Sequence, residues 1–211
     1  MHPLCQQFNM ASADIPRPAT VALSSLDTLP TFRLKSEEIP DGQYKIKCSK
    51  EAECHSDDEQ IQSTLWFKTP VRPSCPWFPS RLTVTLQALD EVTIKRIDYL
   101  QLFAESHDQE FCDNLNGGAW TWLELGIYED DHAESPRVKD EIELVWRSHF
   151  NVLANGEFQW LEGERFEETH DLVRSLKDGN VIGVRLCSRF QGWEIRARNG
   201  YLLIDVGIEN G

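Results

Sequence analysis

The sequence predicts an all-β protein: an antiparallel β-sandwich or jelly roll with at most one short helix. Three observations carry this. Apolar and polar residues alternate in short runs, the period of a half-buried strand. Turn residues such as Asn116-Gly117-Gly118, Asn155-Gly156 and Asp178-Gly179 separate the runs. Helical periodicity is confined to one stretch. The chain has 211 residues, and a single sandwich of residues 30–211 accommodates the pattern. Residues 1–29, with Pro16 and Pro18 and no apolar period, read as a flexible N-terminal extension.

From Thr31 onward the elements follow in order. Phe32-Arg33-Leu34 makes a short strand, and Tyr44, Ile46 and Cys48 alternate with Lys45 and Lys47 in the next. Residues 49–59 are acidic and polar and read as an exposed loop. In 61–68, Ile61, Ser63, Leu65 and Phe67 share a face. Pro70, Pro73, Pro76 and Pro79 exclude regular structure from 70–79. Leu82, Val84, Leu86 and Ala88 give the cleanest alternation in the chain. Residues 91–104 read as a longer buried strand, and 106–118 as a polar loop.

Residues 120–128 alternate again, which places Trp120 and Trp122 on one face. An acidic loop fills 129–140, and Ile142, Leu144 and Trp146 mark a strand with one wet face. The one helix is expected within 167–177, with Leu172, Val173 and Leu176 on its apolar side and Asp178-Gly179 ending it. Residues 181–187 and 201–208 close the domain, for about eight to nine strands in all.

Composition narrows the function classes. The net charge is −14, which disfavours a phosphate backbone or an anionic membrane surface as partner. No apolar run approaches the roughly 18 residues of a membrane-spanning helix. The first residues show no basic region followed by an apolar one, so the expectation is a cytoplasmic protein. Its six cysteines are then reduced thiols, and Cys187, inside an apolar strand, is a small buried hydrophobe.

Motifs for catalysis or metal binding are sparse. His132-Ala133-Glu134 has the look of two ligands of a facial triad but falls in the acidic loop, so no metal or other cofactor is expected. There is no nucleophile elbow and no phosphate-binding loop. His107 and Cys112 make a thiol–imidazole pair only if the fold joins them.

Two segments carry the candidate ligand site. In the first, His107, Asp108 and Gln109 precede Trp120 and Trp122: rings stack on apolar faces while polar side chains fix orientation. Two tryptophans on one strand face are, however, more often core. In the second, Arg189, Phe190, Gln191, Gly192 and Trp193 form a turn before the last strand. There Arg189 offers a positive charge and Trp193 covers the end of the sandwich. The alternative roles are structural: Asp108 capping its own loop, Arg189 pairing with a carboxylate.

Taken together, Ser106-His107-Asp108-Gln109, Trp120-Thr121-Trp122 and Arg189-Phe190-Gln191-Gly192-Trp193 resemble a set of uncharacterised fungal proteins. In those modules the segments often read Ser-x-Asp-Gln-Gly-Trp, Ser-Trp-Thr-Trp-Phe-Glu and Phe-Pro-Gly-Trp. The resemblance spans residues 81–208 and implies a cytosolic β-sandwich similar in outline to galactose-binding-like domains. It implies no activity, and Glu110-Phe111, Leu123 and Gln191 depart from the pattern.

The functional expectation is a binding module that recognises a small molecule, a glycan or a protein partner through loops at one end of the sandwich. The alternative is an enzyme of a small-molecule pathway, cyclase- or isomerase-like, using a pocket in the sandwich. An enzyme shows a deep concavity with convergent polar groups; a module shows a shallow surface with exposed aromatics and a polar rim.

Overall fold

The structure, a computed structural model, describes residues 42–69, 89–109, 118–153 and 155–207. The expected extension 1–29, the strand at 32–34, the proline-rich 70–79, the alternating run 82–88 and residues 110–117 lie outside the described residues.

The chain order of the first half is β1 Gln43–Cys48, β2 Ala52–His55, β3 Gln62–Lys68, α1 Glu91–Ile94, β4 Ile97–Asp108 and β5 Thr121–Tyr128. The second half is β6 Val138–Lys139, β7 Ile142–Glu143, β8 Val145–Phe150, β9 Gln159–Glu167, α2 Asp171–Ser175, β10 Val181–Ser188 and β11 Glu194–Val206. One sheet runs β1-β11-β4-β9, with β2 also paired to β11; the other runs β3-β10-β5-β8. All pairings are antiparallel. The two sheets pack face to face, so the protein is an all-β sandwich.

Alternation decides what lies between the sheets. Leu100, Leu102, Ile195, Leu202 and Ile204 face Leu123, Leu125, Ile127, Ile182, Val184 and Leu186, all fully buried in one cluster. Each such side chain contributes about 1.5–3 kcal/mol on leaving water. Two glycines allow close approach. A Cβ on Gly163 would stand 1.9 Å from Ser148 Oγ, where β9 meets β8, and one on Gly200 would stand 2.5 Å from the Trp66 ring. Among the described residues no helix is long and apolar enough to cross a membrane.

Several local expectations are corrected. Residues 91–94 form a second one-turn helix rather than strand: Asp90 accepts a hydrogen bond from Thr93 N at 2.7 Å, an N-cap that nucleates the turn. The helix expected in 167–177 shrinks to α2, capped by His170 Nδ1 accepting from Leu172 N at 3.1 Å, while Glu167 stays in β9. The acidic stretches are not all loop: one contains β2 on the edge of β11, and the other ends in β6, whose hairpin partner β7 takes the first residues of the strand expected around Ile142, Leu144 and Trp146. In β3 a bulge opposite Val184/Arg185 breaks the expected common face. Leu65 pairs with Arg185 on the outside, whereas Phe67 pairs with Val184 towards the core.

The β6–β7 hairpin turns through Asp140 and Glu141, at φ 52° and 66°. Two positive φ values at a two-residue hairpin turn favour Asn-Gly. Glu141→Gly is therefore expected to raise stability by about 1 kcal/mol in urea unfolding; a neutral or negative change contradicts this geometry.

Candidate functional site

One end of the sandwich gathers the two segments singled out in the sequence. β4 extends through Asp108, because Ser106, His107 and Asp108 pair with Ala197, Arg196 and Ile195 of β11. The expected loop thus begins later than Ser106, and its first polar residues belong to the sheet. That register brings the end of β4 beside the start of β11, immediately after the turn 189–193. The same turn is held to the start of β5 by Arg189 N donating to the Trp120 carbonyl at 3.0 Å.

Below the end lies a layer of buried polar groups. Ser106 Oγ donates to Asn151 Oδ1 at 2.7 Å, and Asn151 Nδ2 donates to Thr121 Oγ1 at 3.2 Å. Asp108, 1 % exposed, accepts from Asn155 N at 2.9 Å. Gln109 Oε1 accepts from Glu194 N at 3.2 Å. Asp108 and Gln109 therefore tie backbone segments together at the end. His107 lies on the outer face of its sheet, its Nδ1 2.6 Å from the Asp108 carbonyl oxygen and its ring edge-on to Phe158 at 4.4 Å.

The aromatic residues divide. Trp120 precedes β5 and is half-buried, with Phe190 packed edge-on against it at 4.6 Å. Trp122 sits within β5 but on the outer face of the four-stranded sheet, not between the sheets. It is 7 % exposed and donates Nε1–H to Glu124 Oε2 at 3.1 Å. Trp193 is half-buried; its carbonyl accepts from Ser56 N at 3.0 Å and its amide donates to the Phe190 carbonyl at 3.2 Å.

Phe190 has φ 71°, a left-handed backbone that is an outlier for a bulky residue. Bonds on both sides hold it, from Arg189 N to Trp120 and from Trp193 N to Phe190 itself. The Arg189 guanidinium lies over the Phe190 ring, 4.9 Å from its centre, and Nε donates to the Glu59 carbonyl at 3.0 Å. Among the described residues it has no carboxylate partner, in a chain of 35 acidic residues.

Other titratable groups stand away from this end or beneath it. Arg185 and Glu124 form a buried pair on the outer face of the four-stranded sheet. Beside them burial, and next the Glu124 charge, push the Cys187 thiol well above its ordinary value. His149, wholly buried between β8 and β9, is lowered to about 4 by burial. His132 stands in an exposed loop with Nε2 3.4 Å from Asp131. A wide, shallow depression of about 410 Å³ occupies the opposite end, between α1 and α2.

Comparison with protein families, with curated proteins and with solved structures finds no match for this chain.

The sequence reading passed over the outer face of the five-stranded sheet. Phe103 and Tyr201 stack there at 4.7 Å, Trp160 lies 6.2 Å from Tyr201, and Glu105 binds Arg198 and Asn199. Tyr99, Phe103 and His107 do recur at even spacing, but within a run read as buried on both faces and then as loop. Only the pairing with β9 and β11 shows that they form one surface.

Proposed function

We propose that the protein is a binding module whose sandwich end takes a small hydroxyl-rich ligand carrying an anionic group, such as an acidic sugar. The observation that carries this is the Arg189–Phe190–Trp120 stack, presented on a left-handed Phe190. A strained backbone of this kind stores about 1–3 kcal/mol and persists where the surrounding structure holds it in place. Here it sets an aromatic ring beside a guanidinium with no ion pair among the described residues. Rings accept the C–H face of a sugar, and the free guanidinium edge matches a carboxylate in bidentate geometry. The buried layer of Ser106, Asp108, Thr121 and Asn151 supports these residues from below.

Isothermal titration with glucuronate-bearing oligosaccharides and their neutral counterparts tests this reading. The acidic forms should bind more tightly. Arg189→Ala should weaken them by about tenfold or more, the worth of a charged hydrogen bond, with the melting temperature unchanged. Equal affinity for acidic and neutral forms, or wild-type binding by Arg189→Ala, refutes it.

A further inference from the structure

We propose that the outer face of the five-stranded sheet is the surface through which two copies of this chain pair. This concerns a sheet face, not the sandwich end, and is independent of the ligand reading.

The composition of the face is that of an interface. Tyr99, Phe103, Trp160 and Tyr201 are half-buried on three adjacent strands, β9, β4 and β11, with the Arg165 guanidinium 3.6 Å from the Tyr99 ring centre and Lys45 Nζ, on β1, 5.5 Å from that of Tyr201. Tyrosine, tryptophan, phenylalanine and arginine are the residues enriched at interface centres. The rings are fixed by one another, so pairing orders few side chains anew.

Charge singles out a second copy as the occupant. Two copies of a chain with net charge −14 repel through most orientations. Here five cations, Lys45, Lys47, Arg165, Arg196 and Arg198, stand among six carboxylates, Glu53, Glu105, Glu162, Glu167, Glu194 and Asp205, on the strands of this sheet. The face is near neutral and carries both signs, so it can meet itself across a twofold axis, each cation opposite a carboxylate. The outer face of the other sheet is less accessible: residues 129–144 fold back over it, with Pro136 against Gly126 and Glu143 on Arg185. Size is adequate as well. Four strands about 4.8 Å apart and about 3.3 Å per residue give a patch of roughly 20 by 30 Å, near what each partner gives a standard interface.

Sedimentation velocity of the full chain, from low micromolar to a few hundred micromolar, is the experiment. The expected species is a dimer of the 24.3 kDa chain. Lys47→Glu with Arg165→Glu, both at exposed positions, should weaken it by about tenfold or more, with recovery at high salt, which screens the added charge. Trp160→Ala should weaken it also, and Lys177→Glu, in a turn away from the face, should not. Melting temperatures show whether each variant is folded. A wild-type monomer throughout the range overturns the proposal. So does a dimer that both face variants form as tightly as wild type. A monomer whose tryptophan fluorescence answers to added oligosaccharide in wild type but not in Trp160→Ala gives the face to a glycan instead, and overturns the pairing equally.

Discussion

Glu124→Ala is expected to destabilise the protein by about 3–5 kcal/mol, a fall in melting temperature on the order of 10 °C. Glu124 and Arg185 are directly paired across β5 and β10, and their side chains are only 9 % and 12 % exposed. Arg185 Nε donates to Glu124 Oε1 at 2.7 Å, a second nitrogen reaches the same oxygen, and Trp122 Nε1 binds the other. Burial alone would lower the arginine's pKa, but the Glu124 charge and hydrogen bonds outweigh it and hold the group above its ordinary value. Removing the carboxylate leaves a guanidinium out of water whose remaining acidic partner among the described residues is Glu143, at 3.3 Å and half-exposed. The complementary variant removes both charges. Glu124→Leu with Arg185→Met should unfold within about 1 kcal/mol of wild type, because a buried pair roughly balances its own desolvation. Denaturant unfolding of the three proteins decides this. A loss below about 1 kcal/mol in Glu124→Ala would mean that water reaches the pair and that the outer face is not sealed.

This cluster also marks the limit of what the sequence discloses. The alternation of β5 and β10 was legible because each strand has one strictly apolar face: Leu123, Leu125 and Ile127, then Ile182, Val184 and Leu186. From it follows the fold class. The opposite faces of the same strands were not legible. Trp122 and Cys187 read as core residues, yet with Tyr128 they line the outer side, where the excursion through residues 129–144 and the packed charges exclude water. A sequence shows which residues alternate, not what covers the second face. The same limit applies to Ser106 and Asp108. Polar residues at the end of a strand look like loop, and only their pairing with β11 and their bonds to Asn151 and Asn155 place them inside. Phe190 lay within the turn that was singled out, but nothing in residue order announces a left-handed phenylalanine; glycine or asparagine would have. The meeting of 106–109 with the turn before β11 was legible for a different reason: both flank strands that a sandwich ends on one side.

His149 predicts an acid-sensitive fold. Its ring is 2 % exposed between β8 and β9. Nδ1 lies 3.0 Å from Ser148 Oγ, and Nε2 has no partner among the described residues. Gly163 passes close above it, near enough that a Cβ there would lie 3.0 Å from Nδ1, so water has little room to follow. Burial lowers its pKa from 6.5 to about 4. Above pH 6.5 the imidazole is neutral in both folded and unfolded chains, and its contribution to stability is complete. Below 6.5 the unfolded chain binds a proton that the folded chain refuses. Stability then falls with decreasing pH until about 4, where the folded form also protonates. The slope is that of one proton, about 2 kcal/mol lost between pH 6.5 and 5 and about 3 kcal/mol by pH 4. Glu105 acts in a lower window. Glu105 is held below its ordinary 4.5 by its hydrogen bond to Arg198, against burial and with help from Asn199, so its contribution is lost only as pH falls beneath that value. The interval from 6.5 to 5 lies above the Glu105 window and is where the His149 contribution is read. Urea unfolding across that interval should show the decline in wild type and a nearly flat profile in His149→Leu, whose apolar side chain has no proton to bind. An equally steep decline in the variant would assign the acid sensitivity to another group.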